Sequence, residues 1–273
     1  MLAGTLLLTV QDAVSKGLIR DFHAGEILFF RGLWAYLPIA WFAWRSGGWR
    51  ALSSRRPGVN AVRALLNSAA GFAVISAYAF MPLADAMAIV FASPILVAAL
   101  AGPVLGERVT GQRWTTIGAG FLGVLVILQP GTGAFRWAMV LPLAGAVFIA
   151  VRDLLTARLG AFDGTTVILF YTVSASVLAG AASMAAFGGH WPNGWQWGLF
   201  AGMGLVNGVA HFMAIRAFAL AAAALLAPLR YLALVWAGVI GFAVWGDVPS
   251  GAPIAGAALV VASGLYIVFA ERR

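Results

Sequence analysis

Charged and strongly polar side chains are scarce in this chain, and several of those inside its apolar stretches sit at spacings with chemical meaning. Asp12 and Lys16, in "VQDAVSK", are four residues apart and fall on one face of a helix. They suit a charged path or gate, and equally a local ion pair near one helix end. Asn207 and His211 share that spacing, placing an amide one turn from an imidazole that titrates near neutral pH. Such a pair lines a cavity or hydrogen-bonds two helices together. Arg152 and Asp153 are neighbours, expected to point apart and take different partners, with Arg152 anchoring helices or a lipid headgroup. Arg230-Tyr231 follows Pro228, where a lost backbone donor would kink a helix and a guanidinium could grip a carboxylate or phosphate. Ser93-Pro94 is a matching break in an earlier apolar run, and Tyr78, Phe91 and Trp236 could wall a pocket. The candidate substrate-binding set is therefore His211, Asn207, Tyr78, Arg230, Tyr231, Trp236 and Phe91. The candidate gating and helix-break set is Asp12, Lys16, Ser93, Pro94, Pro228, Arg152 and Asp153.

Enzymatic constellations are missing from the sequence. There is no His-Glu-x-x-His, Gly-x-Ser-x-Gly, acidic triplet or phosphate-loop lysine. Cysteine is absent, and the three histidines lack metal-ligand spacing. No catalytic residue, metal or cofactor is expected, which disfavours an intramembrane enzyme.

The elements that must carry these residues are membrane helices. The 273 residues are 62% hydrophobic and 10% charged, with mean hydropathy +0.94. So few charges could not cover a soluble surface. Apolar runs bounded by Gly, Pro and charge predict ten spans, at about 2–20, 26–45, 59–80, 83–104, 114–130, 137–157, 165–187, 195–216, 218–245 and 252–270. With the N-terminus inside, eleven arginines fall at cytoplasmic ends, Arg63 among them, against Lys16, Arg20 and Arg136 outside. The positive-inside rule then puts both termini in the cytoplasm. The net charge of +8 is topology on this reading, with the bilayer as partner and no nucleic acid. Trp44, Trp49 and Trp114 fit the inner interface, and Trp137, Trp191, Trp195 and Trp245 the outer one. Glycines four apart (Gly102/Gly106, Gly198/Gly202, Gly204/Gly208) would admit close helix approach.

The chain also repeats itself. "VQDAVSKGLIRDFHAGEILFF" at 10–30 and "VRDLLTARLGAFDGTTVILFY" at 151–171 share Val, Asp, Leu and Ile-Leu-Phe. "NSAAGF" at 67–72 matches "NGVAHF" at 207–212, and "GERVTG" at 106–111 matches "GDVPSG" at 246–251. The offset is near 140, so residues 1–136 and 137–273 read as two copies of a five-helix unit. An odd helix number inverts the second copy, giving halves related by an axis in the membrane plane. The expected fold is all-α and integral to the membrane, with ten transmembrane helices as two inverted five-helix repeats. A central site between them and alternating access by a secondary transporter follow. A channel, by contrast, more often shows rings from oligomer symmetry.

The two five-helix halves, the polar site in each half's first helix, and Gly106-Glu107 and Gly246-Asp247 before each last helix resemble the drug/metabolite transporter superfamily, in its ten-helix EamA-type branch. The Trp-rich form is similar to amino-acid exporters of the YddG type. That resemblance implies a bacterial inner-membrane protein exporting amino acids, aromatic or other neutral ones among them, and related small metabolites. Nucleotide-sugar, lipid-linked sugar or sugar-phosphate carriage is the alternative within the superfamily. Asp247 is followed by Val-Pro, with no basic residue matching Arg108, a departure from a shared role for the two acids. Proton coupling, facilitated diffusion or exchange, and oligomeric state stay open at this point.

Overall fold

The computed structural model describes residues 2–46, 48, 52–105, 111–129, 136–159, 163–220, 232–247 and 251–270. Its described residues are helical and contain no strand. The helices are α1 (Leu2–Leu18), α2 (Ala24–Arg45), α3 (Pro57–Ala77), α4 (Leu83–Val90), α5 (Ser93–Leu105) and α6 (Gly111–Leu128). After a short 3₁₀ turn at Trp137–Met139 come α7 (Val140–Leu159), α8 (Thr165–Phe187), α9 (Gly194–Leu220), α10 (Leu232–Trp245) and α11 (Gly251–Ala270). α4 and α5 divide one apolar run, with Phe91 and Ala92 between them, so the break expected at Ser93-Pro94 is present. Pro94 has no N–H to continue the ladder; the Ile95 N–H instead reaches the Ala92 carbonyl at 3.1 Å. α9 runs to Leu220, taking residues 218–220 that the sequence reading gave to the next span. Pro228, Arg230 and Tyr231 lie outside the described residues, as does the step at Gly106-Glu107.

Five segments are each long and apolar enough to cross a bilayer: Ala24–Arg45, Pro57–Ala77, Leu83–Leu100, Trp137–Thr156 and Thr165–Phe187. Large apolar side chains lie on the outside, among them Leu178, Trp137 and Phe187, the last 84% exposed. A soluble surface would not tolerate so much exposed apolar area; a lipid-facing one requires it.

The helix pairings repeat. α1 packs on α9 as α7 packs on α3; α2 packs on α9 as α8 packs on α3; α1 meets α10 as α7 meets α5. The pairs α2–α8 and α6–α11 map onto themselves under that exchange and lie at its centre. In lipid, helices associate through close packing and small residues rather than a hydrophobic drive. Gly123 of α6 and Gly256 of α11 show this: a Cβ on Gly123 would meet the Gly256 carbonyl at 2.8 Å. Gly204 and Gly208 of α9 sit against the α2 backbone at Arg31 and Ala35 and the Pro38 ring. Gly198 and Gly202 have nothing within 4 Å, so their spacing makes no helix contact among the described residues.

Two carboxylates tie loops to the bundle at opposite ends. At the Lys16 end, buried Glu26 closes a capping box with His23: its Oε2 accepts the His23 N–H at 2.7 Å, while His23 Nδ1 accepts from Gly25 and Glu26. Its other oxygen accepts the His190 N–H from the loop after α8. At the far end, Asp163, just before α8, accepts from Ser54 Oγ (2.6 Å), Arg55 N (2.8 Å) and Asn60 Nδ2 (2.6 Å) in the segment leading into α3. Burial pushes the Asp163 carboxyl up, but these bonds and the Arg56 N–H outweigh it and hold it below the usual carboxylate range. By the α2/α8 and α3/α9 correspondence, these are two versions of one tie.

Candidate functional site

A small cavity of about 20 Å³ lies where α2, α3, α8 and α9 converge. Leu28, Arg31, Gly32 and Asn67 wall it from the first half, and Leu169, Thr172, Val173, Ser176, Asn207 and His211 from the second. The walls are repeat mates. Leu28/Leu169, Arg31/Thr172 and Gly32/Val173 are offset by 141 residues, and Asn67/Asn207 by 140. The cavity thus sits on the line relating the two halves. Its chemistry comes from positions where mates differ: Arg31 against Thr172, His211 against Gly71, Ser176 against Ala35.

Helix packing sets each wall. The tight glycine contacts of α9 hold Asn207 and His211 over α2, and Phe212 stacks on Phe42 with ring centroids 3.8 Å apart. Asn207 is only 8% exposed, and its Oδ1 has no partner among the described residues. No hydrogen bond is made by the His211 ring or the Arg31 guanidinium among the described residues; Arg31 instead feels the charge of Asp12 and the Tyr78 hydroxyl. Asp12 and Tyr78 face each other beside it, and the Tyr78 hydroxyl also points to Met87 Sδ at 3.6 Å.

Behind the other wall, Arg63 is 6% exposed and donates from Nε to Thr156 Oγ1 and from Nη1 to Thr172 Oγ1, both at 2.7 Å. Arg152 Nη1 donates to Asn67 Oδ1 at 2.9 Å. Arg31, Arg63 and Arg152 all act electrostatically on His211. Ser68 and Ser176 hydroxyls, 3.2 Å apart, join α3 to α8 at the same level.

Toward the Lys16 end, a wider vestibule of about 500 Å³ is lined by Lys16, Arg20, Tyr78, Phe80, Met81 and Asp247 among others. Lys16 Nζ is paired with the Asp247 carboxylate and lies 4.4 Å over the Trp245 ring. Gly246, at φ +71°, turns the chain back so that the Asp247 N–H reaches the Gly241 carbonyl at 3.2 Å. Tyr78 connects the two spaces: it borders the vestibule and meets Asp12 and Arg31 beneath it.

Several expectations are revised. Lys16 pairs with Asp247 rather than with Asp12 one turn away, whose charged neighbour is Arg31. Arg152 and Asp153 do not part: Arg152 folds back on Asp153 Oδ1 through Nε at 3.0 Å and Nη2 at 2.7 Å, long enough to reach its neighbour. Trp245, half-buried, lies under Lys16 at the same end of the bundle. Arg63, assigned from sequence to the positive-inside count, is buried between helices. Asn207 and His211 do share a wall of the cavity, while Phe91, Ser93 and Pro94 form the α4–α5 break away from it. Trp236 keeps a buried Nε1 without a partner. The cavity residues that pattern reading did not single out are Arg31, Thr172 and Ser176. Their signal was the repeat itself, since the Ile-Leu-Phe triplets precede Arg31 and Thr172 at equal distance.

The profile of the EamA-like transporter family matches residues 1–129. A riboflavin transporter of Rhizobium johnstonii is 31% identical over 83% of this chain and 75% of its own. The chain belongs to the EamA-like transporter family. An S-adenosylmethionine uptake transporter of Rickettsia prowazekii is 25% identical over 97% of this chain and 90% of its own. The pseudopaline exporter CntI of Pseudomonas aeruginosa is 28% identical over 93% and 89%. A solved crystal structure matches with TM-score 0.69 at 22% identity, covering 99% of this chain and 96% of that one, a likeness of fold. This EamA-like protein is therefore an all-α, multi-pass membrane transporter of the drug/metabolite superfamily, ten helices in two inverted repeats, with a small molecule as its cargo and no enzymatic role.

Proposed function

We propose that this EamA-like transporter carries amino acids and related amino-acid-like metabolites out of the cell by alternating access. The solute would bind in the central cavity between repeats 1–136 and 137–273, in a bacterial inner membrane with both termini cytoplasmic. The observation that carries this reading is Arg31, a guanidinium lining the cavity on the repeat axis, with no hydrogen bond among the described residues and Asp12 at its back. Together they offer the two charge signs an amino acid presents: a fork for a carboxylate and a carboxylate for an ammonium. Asn67, Asn207 and His211, with Thr172 and Ser176, supply directional hydrogen-bonding groups beside the apolar Leu28, Leu169 and Val173.

A space of about 20 Å³ holds little more than a water molecule. A metabolite therefore enters only when the halves rock apart, as alternating access requires. A second reading is carriage of a phosphorylated sugar or nucleotide sugar, favoured by three arginines acting on His211. Both are tested by counterflow in proteoliposomes holding the purified full-length protein. Labelled neutral and acidic amino acids should exchange faster in the presence of the same solute inside, with saturation. Exchange confined to sugar phosphates would replace the amino-acid reading by the second.

A further inference from the structure

The interior of this bundle carries more positive than negative charge. The sequence holds nine carboxylate side chains, and the fold commits most of them elsewhere. Glu26 holds the His23 cap and the His190 loop. Asp163 holds the entrance to α3, and Asp247 pairs with Lys16. Asp85, at the start of α4, faces Asp247, Arg136 and Lys16 at the vestibule. Asp21 is exposed in the turn between α1 and α2. Glu107 and Glu271 lie outside the described residues, in the stretches after α5 and α11. Asp12 and Asp153 remain for Arg31, Arg63 and Arg152. Among the described residues three guanidiniums meet two carboxylates between the helices, Arg63 buried and the others partly so, which leaves one positive charge without a counter-charge, a costly arrangement away from bulk water.

The polar groups around the cavity have a polarity to match. Arg152 occupies Asn67 Oδ1, so what the Asn67 amide has left to offer the cavity it lines is its N–H donors. Arg31 brings further donors. On the opposite wall, the buried Asn207 Oδ1 has no donor among the described residues. An acceptor-rich anionic group suits the first side, and an N–H or O–H the second.

We infer that the central site takes a solute with one net negative charge: an amino acid or amino-acid conjugate bearing a second acidic group. This rests on the amino-acid reading above and narrows it. A neutral zwitterion places no net charge against the surplus cation. A monoanion of the same shape cancels it.

L-glutamate and L-glutamine are the probes, because they differ in charge and hardly in shape. In competition counterflow with the reconstituted protein, glutamate should outcompete glutamine by about tenfold, equivalent to about 1.4 kcal/mol. Glutamate should also raise the thermal midpoint of the detergent-solubilised protein more than glutamine at equal concentration. Arg63 stands behind Thr172 and touches no solute, so it is a positioning residue. In Arg63→Gln the glutamate preference should fall to about parity, and Arg63→Lys should restore it. If Arg63→Gln does not fold, the wild-type comparison and Arg63→Lys still decide. Glutamine matching or exceeding glutamate in wild type, with both exchanging, overturns this inference and leaves the amino-acid reading standing. Glucose 6-phosphate acting where both amino acids fail upholds the charge and overturns the amino-acid source. No response to any of the three overturns both.

Discussion

Breaking the Lys16–Asp247 pair should open the protein toward the Lys16 end. The pair ties α1 of the first half to the residue after α10 in the second, at the wall of the vestibule. Its side chains are 10% and 24% exposed, between a surface pair and a buried one. Fully exposed pairs contribute about 0.2–1 kcal/mol, whereas leaving one charge of a buried pair behind costs about 3–5 kcal/mol. An intermediate coupling of about 1–2 kcal/mol follows, with the Trp245 ring under Lys16 adding to the hold on the ammonium. Because the pair forms in the packing described here, its loss favours the alternative by a factor of about 5–30. The assay uses the cysteine-free chain. A single Val173→Cys on the cavity wall reports access through its rate of labelling by an impermeant maleimide added from either side. Asp247→Asn and Lys16→Met should each raise labelling from the Lys16 side about 5–30-fold, and the double variant should add little to either. The swap Lys16→Asp/Asp247→Lys should return the rate toward wild type. Single effects that simply add within about 0.5 kcal/mol, or rates that do not move, would show that the pair holds no gate.

Three further outcomes follow from the geometry. Gly208→Val should destabilise the detergent-solubilised protein by about 1–3 kcal/mol, since the new side chain must displace Pro38, while Gly202→Ala, with nothing within 4 Å, should leave its thermal midpoint unchanged. Asp163→Asn should lower stability at pH 7. Because the folded-state carboxyl is held below its ordinary value, that contribution is complete above about pH 4 and lost as pH falls through the folded value, so the two unfolding midpoints should converge under acid. His211→Ala should weaken counterflow affinity with little change in thermal midpoint, because the imidazole faces the cavity and makes no hydrogen bond among the described residues; unchanged affinity would remove it from the site.

What could be read from the sequence was whatever repeats or alternates. The Ile-Leu-Phe triplets and the Asn67/Asn207 match placed equivalent positions on equivalent helices, and these became opposite walls of one cavity. Pairings between distant segments stayed hidden. Nothing near Lys16 announces a partner 231 residues away, and the closer Asp12 was the natural candidate. Arg63 was misjudged because six residues from a helix start is within reach of the headgroups for a side chain free to extend; here Thr156 and Thr172 fold it inward. Arg152 was misjudged because adjacent residues diverge on a helix only at their Cβ atoms, and a long guanidinium arm can return to its neighbour's carboxylate.

The inverted repeats imply two related packings, but the residues at the seams make those packings unequal. At the Lys16 end, a charge pair joins the halves. In the repeat alignment Ala157 stands where Lys16 does, and Ser15 where Thr156 does, so the lysine is not repeated. Among the described residues the far end is joined by Arg63 on two threonine hydroxyls and by the Ser68–Ser176 contact. A charge pair weakens with salt far more than hydroxyl contacts sealed between helices. Raising ionic strength should therefore speed labelling of the Val173→Cys reporter from the Lys16 side and leave labelling from the other side nearly constant. Equal acceleration from both sides would mean that the two seams open by a common step, and that the chemical difference between them plays no part in choosing which way the transporter faces.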